Sequence, residues 1–189
     1  MRQAGKRRRK RYGAHDSRGR LAGKRHISER PAEVEERSVV GHWEIDTVKG
    51  DDQARHSVLT LVERKTGYLE VGKLARHTAA EATRRTVELI GRHEGRVRTV
   101  TADNGSEFHS YAEIEAATGA LFYFATPHHS WERGTNENTN GLLRQYLPKR
   151  KSMAQVTQAD CDAIAAKLNS RPRTRLGYRT PEECHVQAR

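Results

Sequence analysis

Three strand-like segments joined by very short connections place the tightest limit on how this chain can fold. They read HWEIDTVKG (42–50), HSVLTLVER (56–64) and GYLEVGKL (67–74), and they carry the apolar runs and alternations of β-strands. The connecting sequences DDQAR and KTG are too short to hold a crossover helix. The segments therefore predict a three-stranded antiparallel meander.

The remainder of the chain alternates between helix and strand patterns. We predict a fourth strand over 96–102 and, before it, an amphipathic helix over 78–92 whose inner face carries Ala79, Thr83, Thr86, Val87 and Ile90. A short helix near 107–118, a strand at 120–125 and helices over 135–147 and 157–170 follow, the last begun by a capping box of Thr157 and Asp160. This order predicts an α/β fold, with a mixed sheet that is antiparallel on one side and flanked by helices.

Positive charge is concentrated at the N-terminus. Residues 1–30 hold twelve Lys or Arg against Asp16 and Glu29, a net charge of +10, which leaves +1 of the total +11 for residues 31–189. Stretches such as GKRRRKRYG have no apolar periodicity, so we predict a basic, flexible arm over residues 1–35. Clustered Arg and Lys bind nucleic-acid phosphates by releasing counterions, although such a tail can also serve solubility or targeting.

Signals for export and for disulfide formation are missing from the sequence. It has no apolar run of about 18 residues that would span a membrane, and its first residues lack the apolar segment of a signal peptide. Cys161 and Cys184 are too few and too isolated for a disulfide framework or a CxxC zinc site. We therefore expect a cytoplasmic protein with reduced thiols.

The segment TADNGSEF places an acid, Asp103, where the fourth predicted strand ends. Asp-Asn-Gly is ordinary turn chemistry, because Asp and Asn bind their own backbone and Gly accepts positive φ. Functional sites of open α/β sheets, however, gather at the carboxyl ends of strands. Asp103 is therefore a candidate site residue if other acids reach the same place.

Asp46 and Glu137 are the other candidate acids. Asp46 lies in the first strand, and Glu137 shares a predicted helix face with Gly141 and Arg144. A solvated helix face would also explain Glu137, but Gly141 costs a helix roughly 1 kcal/mol and suggests close approach by a backbone or ligand. Three carboxylates without Cys or His favour Mg²⁺, and two ions about 3.5–4 Å apart can clamp an in-line phosphoryl transfer.

The sequence segments around these acids resemble those of one protein family. GHWEIDT, TADNGSEF, HSWERGTNENTNGLLRQYLPK and LNSRPRTRLGYRTPEE together resemble the insertion-sequence-thirty family of transposases, which belong to the DDE transposases and retroviral-type integrases. The resemblance covers roughly residues 27–187, and its long WERGTNENTNGLLRQYLPK segment is specific to the family. The resemblance implies an RNase H-like fold with Asp46, Asp103 and Glu137 as metal-binding triad, with 33 residues between the last two.

The resemblance also implies a chemistry and a set of partners. A catalytic core of this family cuts DNA at the ends of an insertion sequence and joins the 3′-hydroxyl to target DNA. The implied cofactor is Mg²⁺, with Mn²⁺ as a substitute, and the implied partners are the terminal repeats, target DNA and further copies of the chain. The implied location is the nucleoid of a prokaryotic cytoplasm.

Two departures from the family pattern affect this prediction. His42 replaces the usual Asp before Trp43, at a position outside the triad. Residues 1–40 cannot supply the family's helix-turn-helix, because they hold no paired apolar-periodic helices. We therefore predict a basic arm over 1–35 and an integrase-type core over 36–187, in a C-terminal fragment, a truncated product or one part of a split protein.

Other residues are candidates for contact with DNA. The predicted phosphate ligands are Arg133, Arg144, Lys149, Arg150, Arg171 and Arg173, with Arg7, Arg8 and Arg9 in the arm. Asn104, Asn136 and Asn138 would orient metal-bound water, touch DNA or cap turns. Trp43 and Trp131 could stack on bases, but we predict that both are buried. We predict that His128 and His129 are loop residues and that 171–181 is an ordered irregular tail on DNA.

Two other functions are compatible with these patterns. A non-catalytic DNA-binding remnant would compete with, or regulate, a full-length transposase, and the missing recognition region is its support. A nuclease of the RNase H type, acting on RNA–DNA hybrids, would share the metal chemistry, although the specific helix around Glu137 counts against it.

Overall fold

A six-stranded mixed sheet forms the centre of the protein. In the computed structural model, residues 23–51, 55–127 and 129–188 are described. The strand order is β1-β6-β5-β2-β3-β4. The strands are β1 (Arg25–His26), β2 (His42–Lys49), β3 (Ser57–Glu63), β4 (Leu69–Leu74), β5 (Thr99–Ala102) and β6 (Leu121–Phe124).

Helices cover both faces of this sheet. They are α1 (Ala32–Glu36), α2 (Ala79–Gly91), α3 (Tyr111–Thr118), α4 (Gly134–Leu143), α5 (Gln158–Asn169) and α6 (Pro181–Gln187). One core cluster joins the sheet to α2 and α3 through residues such as Ile45, Leu89 and Phe122. A second cluster joins the opposite face to α4 and α5 through Val58, Leu143 and Leu168. The predicted α/β fold is confirmed.

The predicted meander is also confirmed. β2 pairs antiparallel with β3, and β3 pairs antiparallel with β4. β5 runs parallel to both β2 and β6, so the sheet is antiparallel on one side and parallel on the other. β3 is buried along its whole length because helices cover both of its faces.

Side-chain amides cover the outer edge of β4. The Asn169 amide accepts from the Leu69 N–H and donates to the Leu69 carbonyl, both at 2.9 Å. Gln158 donates to the Val71 carbonyl at 2.9 Å and accepts from the Lys73 N–H at 2.8 Å. Both ends of α5 therefore dock on the edge through bonds that a neighbouring strand would otherwise make.

The predicted flexible arm is wrong at its C-terminal end. β1 pairs with β6, and α1 packs below the sheet with Val34 fully buried. Arg64 anchors this segment by donating from Nε to the Val34 carbonyl at 3.1 Å, while its other nitrogens bind Glu35 and the buried Glu44. The Arg and Glu residues of this segment form ion pairs, among them Arg30 with Glu35 and Glu35 with Arg64.

The helices differ from the predictions in three ways: one boundary, one buried face and one additional helix. α4 ends at Leu143 rather than 147, and the inner face of α2 is centred on Thr86, with Ala82 and Leu89 rather than Ala79 and Val87. The predicted irregular tail contains a 3-10 turn at Thr174–Leu176 and leads into α6. A capping box between Thr180 and Glu183, with proline at the first helical position, starts α6. None of the helices given above could span a membrane, by length or by hydropathy, and this holds for the part of the chain that is described.

Candidate functional site

Asp46 and Asp103 come together because of the register of two parallel strands. Glu44 of β2 lies beside Thr101 of β5, so the same register two residues further on brings Asp46 beside Asp103. One guanidinium contacts both acids. Arg133 lies 3.5 Å from Asp46 Oδ1 through Nη1 and 3.2 Å from Asp103 Oδ2 through Nη2. Two acids 57 positions apart in the chain thus share one cation.

The turn at Asp103 combines both roles that its sequence suggested. Its Oδ1 accepts from the Gly105 N–H at 2.8 Å, which is ordinary turn capping. Its Oδ2 is the atom that faces Arg133. Gly105 lets the two carboxylates of Asp103 and Glu107 lie close to the backbone, since a Cβ there would lie 2.8 Å from Asp103 Oδ1. The turn therefore fixes one carboxylate oxygen and leaves the other for the site.

Asp46 is also held by a side chain of α4. Asn140 donates from Nδ2 to Asp46 Oδ2 at 2.9 Å, and the Thr47 N–H donates to Asp46 Oδ1 at 2.9 Å. Burial raises the pKa of the Asp46 carboxyl, and the negative charge of Asp103 adds to this rise, while Arg133 opposes it. The pair thus carries negative charge that is only partly compensated. Asn140 was not among the predicted site residues.

A buried acid of β2 sets the position of α4. Glu44 is completely buried and accepts from the Asn136 N–H at 2.8 Å, in the first turn of the helix. Thr60 donates to the Asn136 and Asn140 side chains at 3.3 and 3.2 Å. α4 lacks a side-chain cap of its own, so a carboxylate from the sheet takes that role. Asn136 is consequently a structural contact in the described fold.

Glu137 lies on the α4 face that points toward the two aspartates, but its side chain is exposed. Arg133, Glu137, Asn140 and Arg144 follow one helical stripe, and two of them contact Asp46. Within residues 23–51, 55–127 and 129–188, no three His, Cys, Asp or Glu side chains are placed to hold a metal ion. The structure brings together two of the three predicted acids and places the third on the adjacent helix surface.

Glu107 is a further acid of this site, and the sequence predictions missed it. It accepts from Thr47 Oγ1 at 2.5 Å and lies 3.6 Å from His77 Nε2. A Cβ at Gly105 would meet Glu107 Oε2 at 2.6 Å, so this carboxylate packs against the Asp103 turn. Burial lowers the pKa of His77 although Glu107 raises it. The signal was present, because Glu107 belongs to the DNGSEF motif.

The predicted phosphate ligands have separate surroundings. Arg133 is the one that contacts the acids. Arg144 donates to the Lys49 carbonyl at 2.8 Å, and burial lowers its pKa. Arg171 binds the Gln145 amide oxygen and the Tyr146 hydroxyl, and Arg173 donates to the Leu168 carbonyl at 3.0 Å. Lys149 and Arg150 are exposed, while Arg7, Arg8 and Arg9 lie outside the described residues.

The two tryptophans differ completely in exposure. Trp43 is 1% exposed and packs among Tyr68, His93 and His185, as predicted. Trp131 is 67% exposed, so its predicted burial is wrong. It stacks on His129 with ring centroids 4.3 Å apart, and it borders a cavity of about 540 Å³ that Arg30 and Arg64 also line. The 3-10 turn Ser130–Arg133 points the ring outward, two residues before Arg133.

Two of the predicted asparagines also have different roles. Asn104 donates to the Ala125 carbonyl at 2.6 Å and accepts from Lys24, so it ties the Asp103 turn to the end of β6. Asn138 is exposed on the flank of α4 away from the aspartates. His129 precedes α4 in the described loop, in agreement with its predicted place, and His128 lies outside the described residues.

The fold places the protein in a structural class, that of the catalytic cores of retroviral integrases. The catalytic core domain of the integrase of BIV superimposes with a TM-score of 0.61 at 21% identity, over 78% of this chain and 95% of that one. A chain of the simian T-cell lymphotropic virus intasome gives the same TM-score at 17% identity, over 76% of this chain and 53% of that one. These integrase cores are RNase H-like, and so is the fold described above.

Sequence comparison then gives the family. The integrase core domain family matches residues 36–130, and the chain belongs to that family. It is 42% identical to a transposase for insertion sequence element IS4351 of Bacteroides fragilis, over 97% of this chain and 56% of the relative. It is 39% identical to transposase InsI for IS30A of Escherichia coli, over 83% of this chain and 41% of the relative. The predicted resemblance to insertion-sequence-thirty transposases is confirmed, and the chain spans about half the length of these relatives.

Proposed function

We propose that this chain is the catalytic core of a DDE-type transposase, which cleaves DNA at the ends of an insertion sequence and joins the 3′-hydroxyl to target DNA. One observation carries the proposal: Asp46 and Asp103 share the Arg133 guanidinium at 3.5 and 3.2 Å. The family to which the chain belongs supports the same chemistry. Because the chain spans about half of its relatives, the activity of a whole transposase is part of the proposal.

The donor chemistry of the site fits a hard divalent cation. Asp46, Asp103 and Glu137 offer only carboxylate oxygens, which suit Mg²⁺, with Mn²⁺ as a substitute. The Arg133 guanidinium lies between the two aspartates, where positive charge is already favoured. When bound, the cation would act as a Lewis acid on the scissile phosphodiester and lower the pKa of the attacking water or hydroxyl.

The chain's own residues prepare this site. Asn140 orients Asp46 by its bond to Oδ2, and the Gly105 N–H holds Asp103 by its bond to Oδ1. Arg133, freed from one aspartate, would pair with a phosphate oxygen of the bound strand. No side-chain general base is needed in this scheme, in which water and then a DNA 3′-hydroxyl attack phosphorus.

The DNA contacts extend from this centre. We propose phosphate contacts by Arg133, Arg144, Lys149, Arg150, Arg171 and Arg173, and by Arg7, Arg8 and Arg9 of the basic N-terminal segment. The exposed Trp131 would stack on an unpaired base beside the scissile phosphate, because stacking on an aromatic ring tolerates any base. The terminal repeats and target DNA are the proposed partners, with self-association on DNA and a location at the nucleoid.

The test is metal-dependent cleavage and joining by the chain. Wild type is expected to nick supercoiled plasmid and to join oligonucleotide 3′-ends into it when Mg²⁺ or Mn²⁺ is supplied. Asp103→Asn should abolish both activities, whereas Glu113→Gln, an exposed carboxylate on α3, should leave them unchanged. Undiminished joining by Asp103→Asn would refute the assignment.

The alternatives have distinct outcomes in the same assays. Binding of DNA without metal-dependent nicking would restore the non-catalytic remnant, which the assembled aspartate pair does not favour. Preferential cutting of RNA in a hybrid would instead identify a nuclease of the RNase H type. An in-frame or frameshifted helix-turn-helix in the DNA upstream of the Met1 codon would show that the chain belongs to a longer or split protein.

A further inference from the structure

A groove lined by arginines runs along the flank of α4 away from the aspartates. It has a volume of about 410 Å³, and its charged walls are Arg37 after α1 and Arg173 and Arg175 of the C-terminal segment. Thr135, Asn138 and Thr139 of α4 add hydroxyl and amide groups. Among the described residues no Asp or Glu lines it, so the ionised side chains that they contribute to the groove are all positive.

The hydrogen bonds that hold the three arginines in place go to one hydroxyl and two backbone carbonyls. Arg37 donates to Thr135 Oγ1 at 3.2 Å, and Arg173 donates to the Leu168 carbonyl at 3.0 Å. Arg175 donates to the Lys65 carbonyl at 3.0 Å and lies so close to Gly67 that a Cβ there would be 2.3 Å from Nη2. None of the three forms an ion pair with a carboxylate of the described residues.

Gathering these charges has an electrostatic cost. Burial lowers the pKa of Arg175, and the positive charges of Arg37 and Arg173 lower it further, while the negative charge of Glu63 raises it. Burial likewise lowers the pKa of Arg173, with a contribution from Arg171. An anion in the groove would relieve this repulsion and accept from guanidinium donors that neutral carbonyls and hydroxyls only partly occupy.

The groove and the aspartate site lie on opposite flanks of one helix. At about 100° per residue, the Arg133–Glu137–Asn140 stripe is roughly half a turn from the Thr135–Asn138–Leu142 stripe. Gly134 and Gly141 lie two turns apart on the exposed crest between the stripes, and a Cβ at either would meet nothing within 4 Å. The crest is therefore a bare strip over which a sugar–phosphate backbone can pass closely.

We propose that this arginine groove, formed by Arg37, Arg173 and Arg175, is a second phosphate-binding site that holds the DNA backbone across α4 from the aspartate site. The proposal rests on the proposed function for the identity of the nucleic acid. Its geometry is independent of the metal, since none of the three arginines contacts Asp46 or Asp103. The groove would fix where the strand lies, and the acids would act on it.

The experiment measures DNA affinity without divalent cation. Binding of a labelled duplex of arbitrary sequence is followed by fluorescence anisotropy in EDTA over a series of NaCl concentrations, for wild type, Arg175→Gln, Arg37→Gln and Arg84→Gln. Arg84 is a matched control, because it is 56% exposed and pairs with Glu81 on α2, on the other face of the sheet. Each groove variant should weaken binding about tenfold and reduce the salt slope by about 0.9 per lost phosphate contact, while Arg84→Gln matches wild type.

A conservative variant separates the charge of Arg175 from its geometry, and inorganic phosphate separates DNA binding from binding of a free anion. Arg175→Lys keeps the charge but loses the planar fork, so it should retain the salt slope and recover only part of the affinity. Binding by Arg175→Gln and Arg37→Gln that equals the control at every salt concentration would overturn the proposal. So would stabilisation of wild type by inorganic phosphate alone, with DNA affinity unaffected by the variants, because the groove would then serve a free anion.

Failure of this proposal is distinguishable from failure of the proposed function. Loss of DNA affinity in EDTA together with no metal-dependent nicking would keep the groove and remove the catalytic assignment. Normal affinity of the groove variants together with Asp103-dependent nicking would keep the catalytic assignment and remove the groove. Thermal melting of every variant separates a binding defect from a folding defect.

Discussion

The two flanks of the ten-residue helix α4 face opposite charges from other parts of the fold. On one flank, buried or half-buried acids from two parallel strands surround a single guanidinium. On the other, three arginines from segments at both ends of the described chain line a groove without an acid. The first arrangement suits a cation and bond chemistry, whereas the second suits an anion and binding alone. We therefore expect catalysis and DNA binding to be separable by mutation.

The largest expected effect tests the acidic flank. Asp46→Asn removes one negatively charged oxygen ligand of the proposed metal site. The amide oxygen of the new side chain can still accept the hydrogen bond from Asn140. Strand cleavage should fall at least about 100-fold, as for loss of one electrostatic stabiliser of a transition state. DNA affinity measured by anisotropy in EDTA should be unchanged or slightly higher, since a negative charge has gone. A parallel loss of affinity would break the distinction between the two flanks.

The next effect concerns the exposed aromatic ring beside the acidic flank. Trp131→Ala should weaken binding of DNA with an unpaired end by about 1–3 kcal/mol, the typical contribution of one stacked base. Trp131→Phe should retain most of the affinity, and fully paired duplex should bind alike to all three proteins. Tryptophan fluorescence supplies a direct readout, because Trp43 is buried and only Trp131 can be quenched by a stacked base. Equal quenching by blunt duplex and by unpaired ends would contradict base stacking.

A smaller effect separates the guanidinium from the metal. Arg133→Gln leaves Asp46 and Asp103 without their shared cation, so the free energy of unfolding should fall by about 1–2 kcal/mol, a value reduced because Asp103 is partly exposed. Added Mg²⁺ or Mn²⁺ should raise the melting temperature of this variant more than that of wild type. Arg144→Gln, on the same helix stripe but away from both acids, is the control. Equal metal stabilisation of all three proteins would show that Arg133 does not occupy the cation's place.

The smallest effect tests the bare crest between the flanks. Gly141→Ala meets no neighbour, so it should raise the free energy of unfolding by about 0.5–1 kcal/mol through helix propensity. The same methyl would stand where a backbone passes, so strand joining should decrease although the protein is more stable. Chemical denaturation and the joining assay on one preparation measure both. A stabilised variant with unaltered joining would show that the crest is not in contact with DNA.

Local patterns made much of the fold predictable. The meander followed from short connections, and α5 begins at Thr157 with the predicted capping box to Asp160. β1 and α1 were missed because their charged residues have no apolar periodicity, and their partners, β6 and Arg64, are distant in the sequence. The start of α6 carried a readable signal in Thr180, Pro181 and Glu183, which the prediction of an irregular tail ignored.

The candidate site also contains residues that the sequence predicted and residues that it did not. Asp46 and Asp103 were identifiable because the family motifs mark both, and the parallel register of β2 and β5 places them side by side. Asn140 and the side chain of Glu107 depend on how α4 and the turn after β5 pack, which spacing does not encode. The arginine groove could not be predicted from the sequence for the same reason. Arg37 and Arg175 come together only when α1 and the C-terminal segment pack around Gly67.

The amide-covered edge of β4 has a consequence for assembly. A bare outer strand invites a second molecule to extend the sheet, but here Asn169 and Gln158 already occupy backbone groups at Leu69, Val71 and Lys73. A second copy of this protein is therefore kept from extending the sheet at β4, which leaves the rest of the surface for any contact between copies. The same two amides would also protect this edge of the sheet from fibre-like polymerisation.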